Sequence, residues 1–502
     1  PPRMTIRARA LALAVCLPLA PFSVGAQETV PASLTLDDAV VIAERNNPSF
    51  LQSRNDAEVA DWDVRQAWGQ LMPSASASGS VGWQGTGDQQ FGSITLGDLR
   101  FGGQPSTYSS SYNLSLNYSL SLGALLAPSR AKAQRGATQA GIETARAGLV
   151  QRVTRAYLEV LRQQEAVLLA EQQLENSRFN LRLAQGRLEV GEATPIDVGQ
   201  AEVQVGRSEV AVLQAQNSLE TGRMRLLQQL GVSVNQGTSL TTSFTLSEPR
   251  WDLEDLYTRA LNANPSLTNT RMSHEAADIG VSQARSDYFP SLSITTGWSG
   301  FAQEASSVDG RIAQQQAQVA GAVQACVERN EVYRRLQDPL PLQDCGRFAF
   351  TDEDRRRILD QNDVFPFNFT QSPPRVSLGI SIPVFQGFSR QRNLEAARVQ
   401  REDLAQQMRE QELGLRADLS VALANVRTAY QSALLEERNR DLADQQLRLA
   451  RERYQLGAIT FVELVDAQTV LAQADRDRIA AVYAYHDLVT DLEALVGASL
   501  RN

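Results

Sequence analysis

Val153, Val160, Val167, Leu174, Leu181 and Leu188 recur at every seventh position, with Leu149, Ala156, Ala170 and Ala184 as a companion row of mostly small residues. This spacing predicts the seam of a coiled coil. No proline interrupts the stretch, so the pattern predicts a helix starting near Ser129 and running roughly 90 Å at about 1.5 Å per residue. The seam stops at Gly191 and resumes beyond Thr194-Pro195 as Val198, Val205, Val212, Leu219 and Leu226, beside Ala201, Ser208, Ala215 and Gly222. A glycine stop followed by proline in the next first turn predicts a helical hairpin, and the small residues predict close packing within it.

The chain is written twice. LTLDDAVVIAERNNPSF (34–50) returns as WDLEDLYTRALNANPSL (251–267), and Pro48 and Pro73 correspond to Pro265 and Pro290 without a gap. Each copy reads as a short helix, an Asn-Pro break that reopens a second helix, and a proline that ends it. Beyond that proline the period drops to two. Ala75, Ala77, Val81 and Trp83 alternate with small polar residues in copy one, as Leu292, Ile294 and Trp298 do in copy two. A second alternating run follows each: Tyr112, Leu114, Leu116, Tyr118, Leu120 and Leu122, then Val376, Leu378, Ile380 and Ile382. One face is apolar, and the other carries Ser, Asn, Thr and Gly where a solvated face would carry Lys and Glu. Tyr and Trp lie near the run ends, so the pattern favours membrane strands over a soluble half-buried sheet. Copy two repeats the seam as Val421, Leu435, Leu442, Leu449 and Leu456 beside Ala443 and Ala450, stops at Gly457, and returns through Leu464, Leu471, Tyr485 and Leu492. From tyrosine to turn glycine the copies (157–191 and 430–457) differ by one heptad, which leaves the seam's facing unchanged.

Composition agrees with long helices: aromatics are 6% of 502 residues, as narrow apolar seams require. A net charge of −9 disfavours nucleic acid as a partner. Mean hydropathy of −0.28 excludes a bundle of membrane helices but not a β-barrel, whose strands are half apolar. Arg3, Arg7 and Arg9, the apolar run 10–20 and Val24-Gly25-Ala26 predict a signal peptide over 1–26 and a mature chain from Gln27. Val15 fits a lipid-attachment box poorly, so Cys16 reads as an apolar signal residue. Cys326 and Cys345, the remaining cysteines, are expected to be bridged in an exported chain. They lie in a long segment, about 299–375, whose counterpart in copy one (84–110) is short, and which contains a glutamine-rich helical run at 311–336. The polar stretch 231–247 between the copies reads as a linker or a short strand. His274 and His486 have no ligand spacing, and no nucleophile elbow, phosphate loop or CxxC occurs, so no catalytic, cofactor or metal site is expected and the chain does not read as an enzyme.

Acidic residues follow both hairpin turns. Asp197 follows Gly191; Glu463 and Asp466 follow Gly457 at a spacing that puts both on one helix face. Two readings stand. First-turn acids favour a helix N-terminus, which accounts for Asp197 and Glu463. In an oligomer with a central axis, Glu463 and Asp466 instead recur around a ring as a cation-attracting constriction.

The signal peptide, the duplicated strand-and-helix unit and the tips RLEVGEATPIDVGQAE and RYQLGAITFVELVDAQ together resemble the TolC-like outer-membrane efflux channels, over nearly all of the mature chain. The resemblance implies a mixed α and β fold: a homotrimer whose chains each give four strands to one transmembrane β-barrel of twelve, continued by a twelve-helix coiled-coil tunnel in the periplasm. It implies no enzyme and no cofactor. It implies an exit duct in the outer membrane of a Gram-negative bacterium, in contact with outer-membrane lipid, a periplasmic adaptor protein and, through it, an inner-membrane transporter. The tips Val190, Gly191, Leu456 and Gly457 resemble the surface that meets the adaptor. The family's closed entrance joins a tyrosine, matched by Tyr454, to an aspartate on the other hairpin, matched by Asp197, and to a basic residue whose position here holds Ile459. Its constriction acids fall on Glu463 and Asp466.

The expected organisation is a first repeat over 27–247, with strands at 74–83 and 111–122 and a hairpin at 129–230. A second repeat covers 248–502, with strands at 291–298 and 376–383, an external insertion at 299–375 and a hairpin at 388–497. A trimeric structural coiled coil or adhesin would explain the heptads but not strands interrupting both copies. A periplasmic adaptor would share the hairpins and lack the strands.

Overall fold

The computed structural model describes residues 33–87, 90–91, 94–95, 105–233, 239–338 and 340–501. The signal peptide read over 1–26, with Cys16, and the start at Gln27 lie outside the described residues. In chain order the first half contains β1 (Ser33–Leu34), α1 (Leu36–Asn46), α2 (Pro48–Gly69), β2 (Ser74–Gln84), β3 (Gln90–Phe91), β4 (Ile94–Thr95), β5 (Thr107–Leu120), α3 (Leu122–Glu189) and α4 (Pro195–Leu230). The second half contains β6 (Ser239–Leu240), α5 (Leu253–Ala263), α6 (Pro265–Ser286), β7 (Ser291–Ala305), α7 (Asp309–Arg334), α8 (Asp352–Asn362), β8 (Thr370–Gln371), β9 (Arg375–Ser381), α9 (Ser389–Gln455) and α10 (Phe461–Val496). Among the described residues two compact units arise, one from 33–58, 138–270 and 407–501, the other from 59–137 and 271–406.

In the first unit the Asn-Pro breaks make two matching joints. Asn47 ends α1, its N–H donating to the Ala43 carbonyl at 2.8 Å, and opens α2, its Oδ1 accepting from the N–H groups of Ser49 and Phe50 at 3.1 and 3.2 Å. Pro48 is tolerated at the first helical position because an N–H there has no helical partner. Asn47 Nδ2 also donates to the Gln229 carbonyl in the last turn of α4 (2.7 Å). Asn264 repeats this: Oδ1 accepts from Leu267 N–H at 3.0 Å, and Nδ2 donates to the Leu495 carbonyl of α10 at 2.8 Å. Each return helix ends on a left-handed glycine, Gly231 (φ 73°) and Gly497 (φ 77°). A Cβ there would stand 2.3 Å from the Asn46 carbonyl oxygen and 2.4 Å from that of Ala263, so the close approach admits only glycine.

Around these joints the core forms two clusters. Ala39 and Ala43 of α1 are buried with Leu149, Val153 and Tyr157 of α3 and Leu226 and Leu230 of α4. Leu256 and Ala260 of α5 are buried with Leu419 and Leu423 of α9 and Val489 and Leu492 of α10. Within 231–247, β6 pairs parallel with β1, Leu240 opposite Leu34.

The long helices depart from the sequence reading in two ways. Helix α3 begins at Leu122 instead of Ser129, since the Ser121 hydroxyl caps it by accepting from Ala124 N–H at 3.1 Å. Pro128 then falls in the second turn of the helix, where it forgoes the N–H bond to the Ala124 carbonyl. Along α9 the buried heptad row is Leu419, Val426, Ala433, Leu447 and Tyr454. The row read as the seam, Val421, Leu435, Leu442, Leu449 and Leu456, is more than half exposed throughout. Ile196, Val203 and Val210 of α4 form a second exposed heptad row. Between α3 and α4 the small residues bring the backbones together: Ala184 and Ala201 are buried, the hydroxyls of Ser177 and Ser208 lie 2.9 Å apart, and a Cβ on Gly222 would touch Val160 Cγ2 at 3.6 Å. No helix among the described residues is long and apolar enough to cross a membrane.

The second unit holds an antiparallel sheet in the order β2, β5, β7, β9, with β8 beside the far end of β7. Register puts all the even positions of β5 on one face. Leu116 lies between Ala75 and Thr296, Leu114 between Ala77 and Trp298, and Ile294 between Tyr118 and Leu378. Val81, Trp83, Leu114, Trp298, Val376, Leu378 and Ile380 on this face are exposed. The opposite face is laced by hydroxyls: Ser76 to Ser115 (2.7 Å), Ser80 to Ser111 (2.8 Å), and Thr295 to Ser377. Strand β7 runs on to Ala305, inside the stretch read as insertion, because β5 extends to Thr107 and supplies a pairing partner. The remainder of that stretch folds as α7, which starts at Asp309 and ends at Arg334, a short 3₁₀ turn at Cys345–Phe348, and α8. Cys326 and Cys345 are bridged, Cα atoms 5.7 Å apart.

Candidate functional site at the hairpin tips

The two turns share one backbone design. Helix α3 ends at Gly191 (φ 79°), whose N–H donates to the Leu188 carbonyl at 3.0 Å while Glu192 N–H reaches back to that of Arg187 at 2.8 Å. Helix α9 ends at Gly457 (φ 72°), with Gly457 N–H to Tyr454 at 3.0 Å and Ala458 N–H to Arg453 at 2.9 Å. This paired closure requires a left-handed residue, so glycine recurs. The return helices open with capping boxes. Thr194 N–H and hydroxyl each donate to Asp197 Oδ2 at 2.8 Å. Thr460 N–H and hydroxyl donate to Glu463 Oε2 at 2.7 and 2.9 Å. Each cap is worth about 1 kcal/mol.

Those bonds locate the acids. Asp197 and Glu463 occupy equivalent positions, and the hydrogen bonds from the Thr460 N–H and hydroxyl hold the Glu463 carboxyl below its ordinary pKa. Asp466, one turn further on, lines with Glu463 an open groove of about 710 Å³, together with Leu449, Arg453, Ile459 and Val462. Val190 and Leu456 stand out at the two turns, 71% and 84% exposed.

Tyr454 is buried. Its partner is Arg187: the guanidinium lies 4.6 Å over the phenol ring, and Nη1 donates to the Tyr454 carbonyl at 2.6 Å. Arg187 thus satisfies a carbonyl in the last turn of α9 and puts a positive charge at that helix's negative end. Burial raises the Tyr454 pKa, Arg187 lowers it, and the Asp197 charge raises it. Asp197 acts on Tyr454 through its charge, its carboxylate being engaged by Thr194. The basic contact therefore comes from the first hairpin, while Ile459 lies among the apolar residues packed around Ala184, Leu447, Phe461 and Leu464. The sequence reading missed Arg187. The available signal was RLEVG against RYQLG, an arginine four positions before each tip glycine. No cluster of His, Cys, Asp or Glu suited to hold a metal occurs among the described residues.

The outer membrane protein TolC of Vibrio cholerae is 30% identical over 152 residues, 30% of this chain and 35% of that protein, so the chain spans about a third of the length of that relative. The fold is similar to that of CusC, with a TM-score of 0.66 at 16% identity over 92% of both chains. It is also similar to the outer membrane channel CmeC of Campylobacter jejuni, with a TM-score of 0.67 at 14% identity over 93% of this chain and 87% of that one. Long helices with a β portion are thus the shared architecture. The pattern that defines the outer membrane efflux protein family, whose members are channels and not enzymes, matches residues 39–232 and 357–498, and the chain belongs to that family.

Proposed function

We propose that this chain is the outer-membrane exit duct of a tripartite efflux or type I secretion system in a Gram-negative bacterium. The observation that carries the reading is the sheet, with an exposed apolar face on one side and a hydroxyl-laced face on the other. That division suits a wall with lipid outside and water inside. Among the described residues β2 pairs only with β5, and the long β9 edge only with β7, so both sheet edges stand open. Four strands fall short of the roughly eight that close a membrane barrel, which supports three copies pairing edge to edge as a twelve-stranded barrel. The exposed heptad rows on α4 and α9 support the same trimer, since each is an unfilled coiled-coil seam suited to a neighbouring copy. The repeated joints and tips support an origin by duplication.

On this reading the first and second repeats together line a tunnel that conducts passively. An inner-membrane transporter supplies the energy, and an adaptor meets Val190, Gly191, Leu456 and Gly457. Threefold symmetry gathers Glu463 and Asp466 around the axis as a cation-selective entrance, with Tyr454, Arg187 and Asp197 beside it. The test is purification of a heat-resistant trimer from outer membranes, followed by single-channel recording in planar bilayers. A monomer without conductance overturns the duct. The double replacement of Glu463 and Asp466 by alanine is expected to reduce cation selectivity and block by multivalent cations. Unchanged selectivity would leave Glu463 a helix cap and Asp466 a surface group.

A further inference from the structure

The apolar face of the sheet is covered at one end by the chain itself. After α8, residues 363–369 (DVFPFNF) turn back over β5 and β7. The Phe365 ring lies 5.5 Å from that of Tyr108, and Phe369 meets Tyr112 edge-on at 4.9 Å. Ser110 Oγ donates to the Pro366 carbonyl at 2.6 Å, and Glu304 accepts from Phe365 N–H at 3.0 Å. The Asn362 side chain bonds both the N–H and the carbonyl of Ala305, at 3.1 and 2.8 Å. Gly300 makes the space, since a Cβ there would stand 2.5 Å from the Tyr112 ring. Beneath the segment Ser110 and Ala302 are buried, yet Phe367 at its crest is 81% exposed.

Two properties fit this segment to a bilayer and not to water. Its backbone is paired on both sides of the crest: the N–H groups of Asp363, Val364, Phe365, Asn368 and Phe369 donate within the protein and Pro366 has none, while the N–H of Phe367 has no partner among the described residues and is left for the headgroup boundary. In hydrocarbon an unsatisfied N–H costs several kcal/mol, whereas an aqueous loop is under no such constraint. Its height also matches. From Leu120 to Ser110, which bonds Pro366 beside the crest, the strand advances about 34 Å at ~3.4 Å per residue, or about 26 Å along the membrane normal at a tilt near 40°, at the edge of a ~25 Å apolar band.

We infer that residues 363–369 form a clasp that grips the outward face of the sheet and seats Phe367 among the acyl chains of the outer leaflet, at their boundary with the headgroups. The inference rests on the reading of the sheet as a membrane wall. The test uses the full chain in palmitoyl-oleoyl phosphatidylcholine vesicles, with Phe367 replaced by 4-(trifluoromethyl)phenylalanine and, in a second sample, Leu378 replaced likewise. Fluorine relaxation is measured with a doxyl-labelled phospholipid and, separately, with an aqueous gadolinium chelate. Both labels are expected to relax several-fold more with the lipid-borne spin. Relaxation of the 367 label by the chelate, while the 378 label still responds to lipid, would make the segment an aqueous loop and overturn the clasp alone. A 378 label relaxed by the chelate would overturn the membrane wall and the clasp with it.

Discussion

The two hairpin tips share their backbone and differ in what they do with an arginine. Arg187 and Arg453 sit at the same offset before their glycines, on helices closed by the same pair of hydrogen bonds. Arg187 crosses to the other hairpin and takes the ring and carbonyl of Tyr454, whereas Arg453 lines the groove that holds Glu463 and Asp466. The residue after arginine explains the asymmetry: Leu188 in the first tip offers no ring face, and Tyr454 in the second does. One duplicated frame thus yields a donor tip and an acceptor tip.

The largest effect is expected from separating the arginines. Arg187→Ala removes a charged hydrogen bond and a cation–π contact and should cost about 2 kcal/mol. Arg453→Ala should cost less than about 0.5 kcal/mol. Thermal unfolding reads the difference, and in planar bilayers the Arg187 variant is expected to dwell longer in its larger conductance states. Equal costs would make the two tips energetically alike.

Next come the glycines, where the tips should agree. Gly191→Val and Gly457→Val force a β-branched residue to positive φ, for about 1 to 2 kcal/mol each. A tip that tolerates valine while the other does not would show that its closure is not the one described.

Smaller still are the caps. Thr194→Ala and Thr460→Ala should each cost about 1 kcal/mol, seen as faster hydrogen exchange in the first turns of α4 and α10. Acid weakens the cap of α10. Because folding lowers the Glu463 pKa from its ordinary 4.5, the contribution of that carboxylate is complete above this value and is lost as pH falls through the lowered one. The protection factors of the first turn of α10 should therefore fall on acidification, and Thr460→Ala should flatten that dependence.

The least effect is expected from Tyr454→Phe. Phenylalanine keeps both the ring face and the backbone carbonyl that Arg187 uses, so opening in bilayers should barely change. A large increase would assign the closed state to the phenol hydroxyl.

Much of this comparison was legible in the residues. The stops at Gly191 and Gly457 and the first-turn acids Asp197 and Glu463 follow from steric limits and short-range electrostatics that need no tertiary context. The Asn-Pro breaks were legible for the same reason. Facing was harder. Helix α9 carries two heptad rows, and periodicity reveals the repeat without saying which row meets its own chain; Tyr454, in the buried row, breaks the apolar pattern with a hydroxyl, and Leu456, in the exposed one, looks like core. The contact from Arg187 to Tyr454 joins residues 267 positions apart, beyond any local signal. The segment over β5 was hidden for another reason, since Phe365 and Phe369 are explained only by the tyrosines they cover.

The joints at Asn47 and Asn264 give the hairpins a mechanical property. Each return helix is pinned at its far end, where Gly231 and Gly497 press against backbone, and runs 36 residues from there to the tip. At about 1.5 Å per residue that is a lever arm of about 54 Å, so a swing of only about 10° at the fulcrum carries the tip through about 9 Å. A fulcrum that admits no side chain bigger than hydrogen has little play of its own, so whatever swing it allows reaches the tips as a directed displacement.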